Sequence, residues 1–302
     1  MTPADATEAG AIAVAAPAKI NLYLHLLGRR DDGYHLLDSL IVFLDLADTV
    51  SVSLADGLSL GLSGSCAPAL EGTKDNLVLD AARALAEAGG CQAGAAIELT
   101  KRVPVAAGLG GGSADAAASL LALASLWRLD LPHARLADIA LGLGADVAVC
   151  LDSRPAFVGG IGEELEPAPE LPPAWVLLVN PGKALATKDV FAAHGGGFTR
   201  PGRFTASFED AGALANQLRP LGNDLTEAAA ALAPGIGEVL EAIEATAGCL
   251  LARMSGSGAT CFGLYDDEAG AAAGAGAIQG AHPDWRVDVA RLIAGRDELD
   301  HP

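Results

Sequence analysis

Residues 104–115 run Pro104-Val-Ala-Ala-Gly108-Leu-Gly-Gly-Gly-Ser113-Ala-Asp115, and an Ala- and Leu-rich segment follows as far as Trp127. Glycine has no Cβ, so consecutive glycines let the backbone aim several N–H groups at one point. A helix over residues 113–127 adds the unpaired N–H groups of its first turn and the positive end of its dipole. Loop and helix together make a cradle for phosphate that needs no lysine. The P-loop pattern requires Gly-Lys-Ser/Thr, and no Lys stands here. The dinucleotide fingerprint would want Gly in place of Ser113. Taken alone, these residues also suit a plain glycine turn packed on an Ala-rich helix.

Upstream, Lys19, Asn21, Tyr23 and His25 share one parity and Ile20, Leu22, Leu24 and Leu26 the other. That period of two is the pattern of a half-buried strand, and it puts the polar ends of Lys19 and Asn21 on one face. A turn at Asp31-Asp32-Gly33 precedes Tyr34-His35. Strands are expected over 41–46 and 49–54, joined by a turn at Ala47-Asp48, and again over 95–103. Asn76 is placed to cap a helix reaching residue 88, closed by Gly89-Gly90. A helix over 134–143 should end at Gly144-Ala145-Asp146, with a strand through residue 151 behind it.

Residues 153–174, rich in Gly and Pro, mark a candidate boundary between two domains, 1–160 and 161–302. Beyond them a strand is expected over 175–180, a helix near 188–194, a Gly/Pro loop over 195–202, and helices over 224–232 and 237–247. Strands over 250–254 and 260–265 would enclose Ser255-Gly256-Ser257-Gly258. An Ala/Gly-rich helix and a strand over 285–290 follow. Strands and helices mix without strict alternation, which favours an α+β fold.

Of 302 residues, 51% are hydrophobic and 19% charged, enough apolar surface to build a core and to exclude general disorder. Nineteen basic against 38 acidic residues leave a net charge of −19, which sets most of the surface against nucleic acid and anionic lipid. An anionic ligand must therefore be held locally, by backbone N–H groups or a placed cation. No apolar run reaches the roughly 18 residues of a membrane span. The acidic opening Met1–Ala15 has no basic region of the signal-peptide kind. Cys66, Cys91, Cys150, Cys249 and Cys261 lack CxxC spacing and fit buried thiols of a reducing, cytoplasmic compartment.

Among candidate reactive groups, Asp146 is either a turn carboxylate satisfying local N–H groups or a general base taking a proton from a hydroxyl during phosphoryl transfer. Lys19 is either an exposed edge-strand cation or its partner. The histidines form no i, i+4 pair, which leaves a transition-metal site without support. The Gly/Ser loop at 255–260 could be a hairpin turn. Two such loops far apart in one chain suggest two sides of one phosphate site.

Pro17-Ala-Lys19-Ile-Asn21-Leu, Asp32-Gly33-Tyr34-His35, the 104–113 glycine loop, Gly144-Ala-Asp146-Val and Ser255-Gly-Ser-Gly-Ala-Thr-Cys-Phe262 span most of the chain. In order and spacing they resemble the GHMP kinase superfamily. The resemblance implies an N-terminal domain like the second domain of ribosomal protein S5 and a ferredoxin-like C-terminal domain. It implies ATP as phosphoryl donor, with Mg²⁺ arriving on the nucleotide and its protein ligands unassigned. Asp146 would be the catalytic base and Lys19 its partner, with Asn21 positioning the acceptor. Pro104, Gly108, Leu109, Gly110, Gly111, Gly112, Ser113 and Ala114 would surround the ATP phosphates, with Asn76 at the adenine and Ser257 and Gly258 closing the site from the C-terminal side.

Pro-Ala-Lys-Ile-Asn-Leu together with Asp-Gly-Tyr-His narrows the resemblance to a branch whose acceptor is a small molecule, a cytidine-diphosphate-linked methylerythritol. There His35 would bond the base edge and Tyr34 stack on it, with Phe191 on the opposite face and Thr187 near the substrate phosphates. Ala114 is a departure, because related sequences often carry a second Ser there. Homoserine- and mevalonate-kinase-like activities stay open as alternatives. So does a non-catalytic binder of the same fold, against which the presence of both Lys19 and Asp146 counts. The resemblance and the charge together imply no nucleic-acid or membrane partner and a monomer or weak homodimer.

Overall fold

Alternating side chains make β1 (Ile12–Arg29), which turns through Asp31-Asp32-Gly33 into β2 (His35–Ala55), and the two strands pair antiparallel along their length. The structure, a computed structural model, describes residues 11–70 and 76–299, so of the opening Met1–Ala15 only residues 11–15 are included. The first half continues with β3 (Leu58–Ser63), α1 (Leu77–Gly89), β4 (Gly94–Thr100), α2 (Gly111–Leu126), α3 (His133–Leu143), α4 (Ala145–Asp152), β5 (Ala156–Gly159) and β6 (Glu164–Pro167). The second half runs β7 (Trp175–Asn180), α5 (Thr187–Ala193), α6 (Ala211–Leu218), α7 (Thr226–Leu232), α8 (Gly235–Glu244), β8 (Leu251–Met254), β9 (Cys261–Tyr265), α9 (Glu268–Ala281) and β10 (Arg286–Ile293).

β2 is the spine. One edge holds β1, while the other takes β5, β10 and β4 in succession. The strand order is β3-β4-β2-β10-β7-β9-β8, with β3 parallel to β4. In the second half β7, α8, β8, β9, α9 and β10 form a βαββαβ unit, and its strands pair antiparallel in the order β10-β7-β9-β8. That is the ferredoxin-like arrangement, with α5, α6 and α7 inserted after β7. The whole is an α+β fold.

α2 is apolar on every side and buried on nearly every side, as a core helix must be. It packs with α1 and α4 against Phe43, Val50, Ile97 and Leu99 of the sheet. α1 is capped as its sequence demands: Asn76 Oδ1 accepts from the Val78 N–H at 3.0 Å, and Gly90 ends the helix at φ +60°.

Three expectations change. The turn at Ala47-Asp48 does not exist, because β2 runs through it. Asp48 is fully buried there, its charge met by Lys101 and its Oδ1 by the Arg102 and Val103 N–H groups at 2.5 and 2.9 Å. Those contacts also draw 101–103 out of β4, which stops at Thr100. The segment after Asp146 is helix α4 rather than a strand; a five-residue apolar run does not fix a period by itself. The stretch 153–174 carries the two short strands β5 and β6. β3, in which Leu58, Leu60 and Leu62 alternate with small residues, and α6, which buries Ala211, Leu214, Ala215 and Leu218, add to the expected elements.

Candidate active site

A cleft of about 650 Å³ opens between the two halves, lined by β1, the glycine loop, the start of α4, Thr187 and Phe191 of α5, and Ser257. Among the described residues no helix is long and apolar enough to cross a membrane, and no group of three or more His, Cys, Asp or Glu could hold a metal ion.

The glycine loop forms the cleft's phosphate-sized end. Gly110 caps α2 at φ +66°, so the N–H groups of Gly111, Gly112 and Ser113 lead the helix with no carbonyl ahead of them. A Cβ at Gly112 would meet nothing within 4 Å. At Gly108 (φ +77°) it would stand 2.7 Å from the Gly258 carbonyl oxygen, and at Gly110 2.7 Å from Lys19 Cγ. The loop is thus pressed against β1 on one side and the 255–258 loop on the other. Lys19 N–H donates to the Leu109 carbonyl at 2.9 Å, and Ser255 Oγ donates to the Gly108 carbonyl at 3.2 Å while accepting from Asn21 N–H at 3.2 Å. The two Gly-rich loops do come together. Ala114, in contrast, lies in the core, and its N–H is spent on the Gly110 carbonyl. A hydroxyl at that position would face the core and not the cleft.

Lys19 and Asn21 face the cleft, and Lys19 Nζ donates to Asn21 Oδ1 at 2.8 Å. Asp146 sits in the first turn of α4, where a carboxylate suits the helix dipole, with Oδ2 3.5 Å from Lys19 Nζ. The ammonium is 6% exposed and the carboxylate 49%, so an open acid is aimed by an enclosed cation. The expected common face breaks after Asn21. A register shift between Asn21 and Tyr23 moves Leu24 into the cleft lining, while Tyr23 OH donates to Asp38 Oδ2 (2.8 Å) and His25 Nδ1 lies 2.7 Å from the Arg200 carbonyl. Burial and the bonded Asp38 carboxylate both push the Tyr23 phenol up.

Beneath the helix start lies a charge cluster that the sequence did not announce. Lys101 Nζ donates to Asp48 and, at 2.7 Å, to Asp115 Oδ2, and all three residues are buried. Burial alone would depress the Lys101 ammonium, but the Asp115 and Asp48 carboxylates hold it above its usual value. Burial pushes Asp115 up, opposed by the Lys101 ammonium and assisted by like-charged Asp48.

From the second half, Thr187 Oγ1 and Ser257 Oγ lie 3.0 Å apart at the cleft wall. His35 packs its ring on Phe191 (centroids 5.4 Å) and edge-on to His194 (6.0 Å). Burial, then the positive charges of Arg29 and His194, hold its imidazole below the usual value. Asn76 and Pro104 line the cleft; Tyr34, His35, Gly258 and Ala114 do not. Tyr34 stands 61% exposed at the turn. Asn223 also escaped sequence reading: its Nδ2 donates to the Met254 and Gly256 carbonyls, both at 2.8 Å, and so shapes the 255–258 loop. Its neighbour Asp224 accepts from Leu26 N–H at 2.7 Å. A Gly222-Asn-Asp224 turn between helices was the available signal.

Family models for the GHMP kinases N-terminal domain and the GHMP kinases C-terminal domain match residues 76–154 and 204–283. The 4-diphosphocytidyl-2-C-methyl-D-erythritol kinase of Paramagnetospirillum magneticum is 54% identical over 281 residues, 93% of this chain and 98% of that relative. The enzyme of the same name from Rhodospirillum rubrum is 50% identical, covering 94% of each chain. A crystal structure of 4-(cytidine 5'-diphospho)-2C-methyl-D-erythritol kinase superposes with a TM-score of 0.76 at 35% identity, covering 94% of this chain and all of that one. A homoserine kinase from Cytophaga hutchinsonii, 21% identical with a TM-score of 0.70 over 95% of both chains, shares the fold.

Proposed function

The chain belongs to the GHMP kinase family, and we propose that it transfers the terminal phosphoryl group of ATP to the 2-hydroxyl of 4-diphosphocytidyl-2-C-methyl-D-erythritol, giving the 2-phosphate and ADP. That reaction serves the non-mevalonate route to isoprenoid precursors. The observation that carries the reading is the convergence of Lys19, Asp146 and the first turn of α2 on one cleft. Its two halves divide the work: residues 1–160 supply the phosphate cradle and base, and 161–302 supply Thr187, Phe191 and the Ser257-Gly258 lip. The described lining of the cleft comes from a single chain, which suits a monomer or a weakly associating dimer.

Phosphoryl transfer asks little covalent chemistry of a protein; it needs in-line positioning and stabilised charge. Asp146 accepts the proton of the 2-hydroxyl as oxygen attacks phosphorus. Lys19, its ammonium 3.5 Å from that carboxylate, stabilises the alkoxide as it develops. The N–H groups of Gly111, Gly112 and Ser113 hold the phosphates at the positive end of α2, and Asn76 contacts the adenine. Phe191 and His35 make the base end of the acceptor pocket, where a neutral imidazole offers one donor and one acceptor. Tyr34, exposed beside His35, is the stacking face that closes on the base. The cleft offers isolated oxygens and no carboxylate cage among the described residues, a donor set that fits Mg²⁺ carried in by the triphosphate, with Ser113 Oγ, at the start of α2, among the side-chain oxygens that would hold it. The ion would neutralise phosphate charge.

A coupled ADP-release assay offering the cytidyl alcohol beside homoserine and mevalonate tests the reading. Turnover of the cytidyl alcohol alone is the expected result. Turnover of either of the others without it would overturn the substrate assignment.

A further inference from the structure

Ser39 has no part in the chemistry above, yet it stands where the direction of the Asn21 amide is decided. An amide presents an acceptor at one end and donors at the other, and only the acceptor can receive the Lys19 ammonium. Ser39 Oγ lies 2.5 Å from the Tyr23 carbonyl, to which it must donate, since a carbonyl cannot. Its single proton is thereby spent. Toward Asn21 the hydroxyl can show only lone pairs, and Asn21 Nδ2 donates to it at 2.8 Å. Oδ1 is left facing Lys19 Nζ at 2.8 Å. The reversed amide would set NH₂ against ammonium and carbonyl oxygen against hydroxyl lone pair, two repulsions among groups that are nearly buried: Ser39 is 1%, Asn21 4% and Lys19 5% exposed.

The register shift between Asn21 and Tyr23 brings both residues within reach of the same hydroxyl. A chain of proton donation therefore runs one way, from Lys19 to Asn21 to Ser39 to the Tyr23 carbonyl. We propose that Ser39 is a positioning residue for the phosphoryl transfer, locking the Asn21 amide so that Lys19 stays aimed at Asp146. The proposal rests on the reading of Lys19 and Asp146 given above.

The test is a double-mutant cycle on the full chain, with kcat and both KM values measured for Ser39→Ala, Ser39→Thr, Asn21→Ala and the Ser39→Ala/Asn21→Ala pair. Loss of one such hydrogen bond should lower kcat about tenfold in Ser39→Ala, with the KM for ATP within about twofold of the parent. Ser39→Thr, which keeps the hydroxyl, should retain kcat within about threefold. Once Asn21 is Ala, removing the hydroxyl should cost less than about twofold further, because nothing remains to orient. A hydroxyl that merely braced the two strands would cost the same with or without the amide, and that result overturns the proposal. So does a Ser39→Ala enzyme with parental kcat. Should Ser39→Ala fail to fold, Ser39→Cys, similar in shape and a weak acceptor, takes its place in the cycle. Asp146→Asn is assayed alongside: if it keeps full activity, the base assignment fails, while the coupling between Ser39 and Asn21 is still read from the cycle.

Discussion

The end of the cleft proposed for the nucleotide is made of backbone, and the end proposed for the acceptor is made of side chains. At the first, glycines press between β1 and the 255–258 loop, and a largely buried helix presents its N–H groups. At the second, Lys19, Asn21 and Ser39 are joined by hydrogen bonds, and Phe191, on the cleft wall, packs separately on the His35 ring. Backbone donors cannot be substituted away, so the first end is sensitive to added volume. The second is sensitive to lost polar atoms. A net charge of −19 is compatible with the proposed grip on a triphosphate, because that grip would use dipoles and one sheltered ammonium instead of a basic surface.

The sharpest test of that division removes the base. Asp146→Asn should lower kcat about 10²–10⁴-fold while ATP titrated by calorimetry binds as before; loss of ATP binding would place Asp146 at the wrong end. Lys101→Met should cost about 3–5 kcal/mol of stability in urea denaturation, because it strands two carboxylates in the core beneath the cradle. A stability loss under about 1 kcal/mol would mean the cluster is not buried as a unit. Glycine substitutions compare volume within one end. Gly108→Ala, at positive φ and against the Gly258 carbonyl, should destabilise by about 1–3 kcal/mol and impair ATP binding. Gly112→Ala should leave the melting temperature near parental and raise only the KM for ATP, since its Cβ would stand in the space assigned to phosphate. Equal behaviour of the two would erase the distinction.

The mildest effect lies at the acceptor end. His35→Ala should raise the KM for the cytidyl alcohol about tenfold and leave that for ATP unchanged. Because His35 is held below the ordinary histidine value of 6.5, its ring stays neutral at pH 7 and protonates only as pH falls below that value. The unfolded chain takes up that proton first, so this residue's contribution to stability is present above pH 6.5 and declines below it. Acceptor affinity should weaken in the same acidic range, and an acceptor KM flat down to pH 5 would remove the neutral imidazole from recognition.

Backbone chemistry was the more legible of the two ends. Consecutive glycines before an Ala-rich run, or Asn76 ahead of a helix, act through neighbours in the chain, so spacing alone reveals them. Lys19 and Asn21 were placed on one face by period two, and the structure keeps them there. Tyr23 and His25 left that face because a bulge costs one residue of register and carries no mark in composition. Asp48 read as a turn residue because its partner, Lys101, is 53 positions away. Asp146 was singled out from the sequence, though with the wrong element after it; four or five apolar residues suit a strand and a short helix equally. Asn223 and Ser39 act across the fold, through hydrogen bonds that only the folded chain brings within reach.

The enclosure of α2 has a consequence for time as well as space. With Leu120, Leu123 and the alanines 116–118 all sealed in the core, the helix cannot fray without opening the domain around it. Its leading amides are therefore in place before any nucleotide arrives, and little conformational entropy is lost there on binding. Whatever ordering accompanies a catalytic cycle falls instead on the exposed partners, the Asp146 carboxylate and the Tyr34 ring. In hydrogen–deuterium exchange the helix should be among the slowest segments of the empty enzyme, with ATP adding almost nothing to its protection.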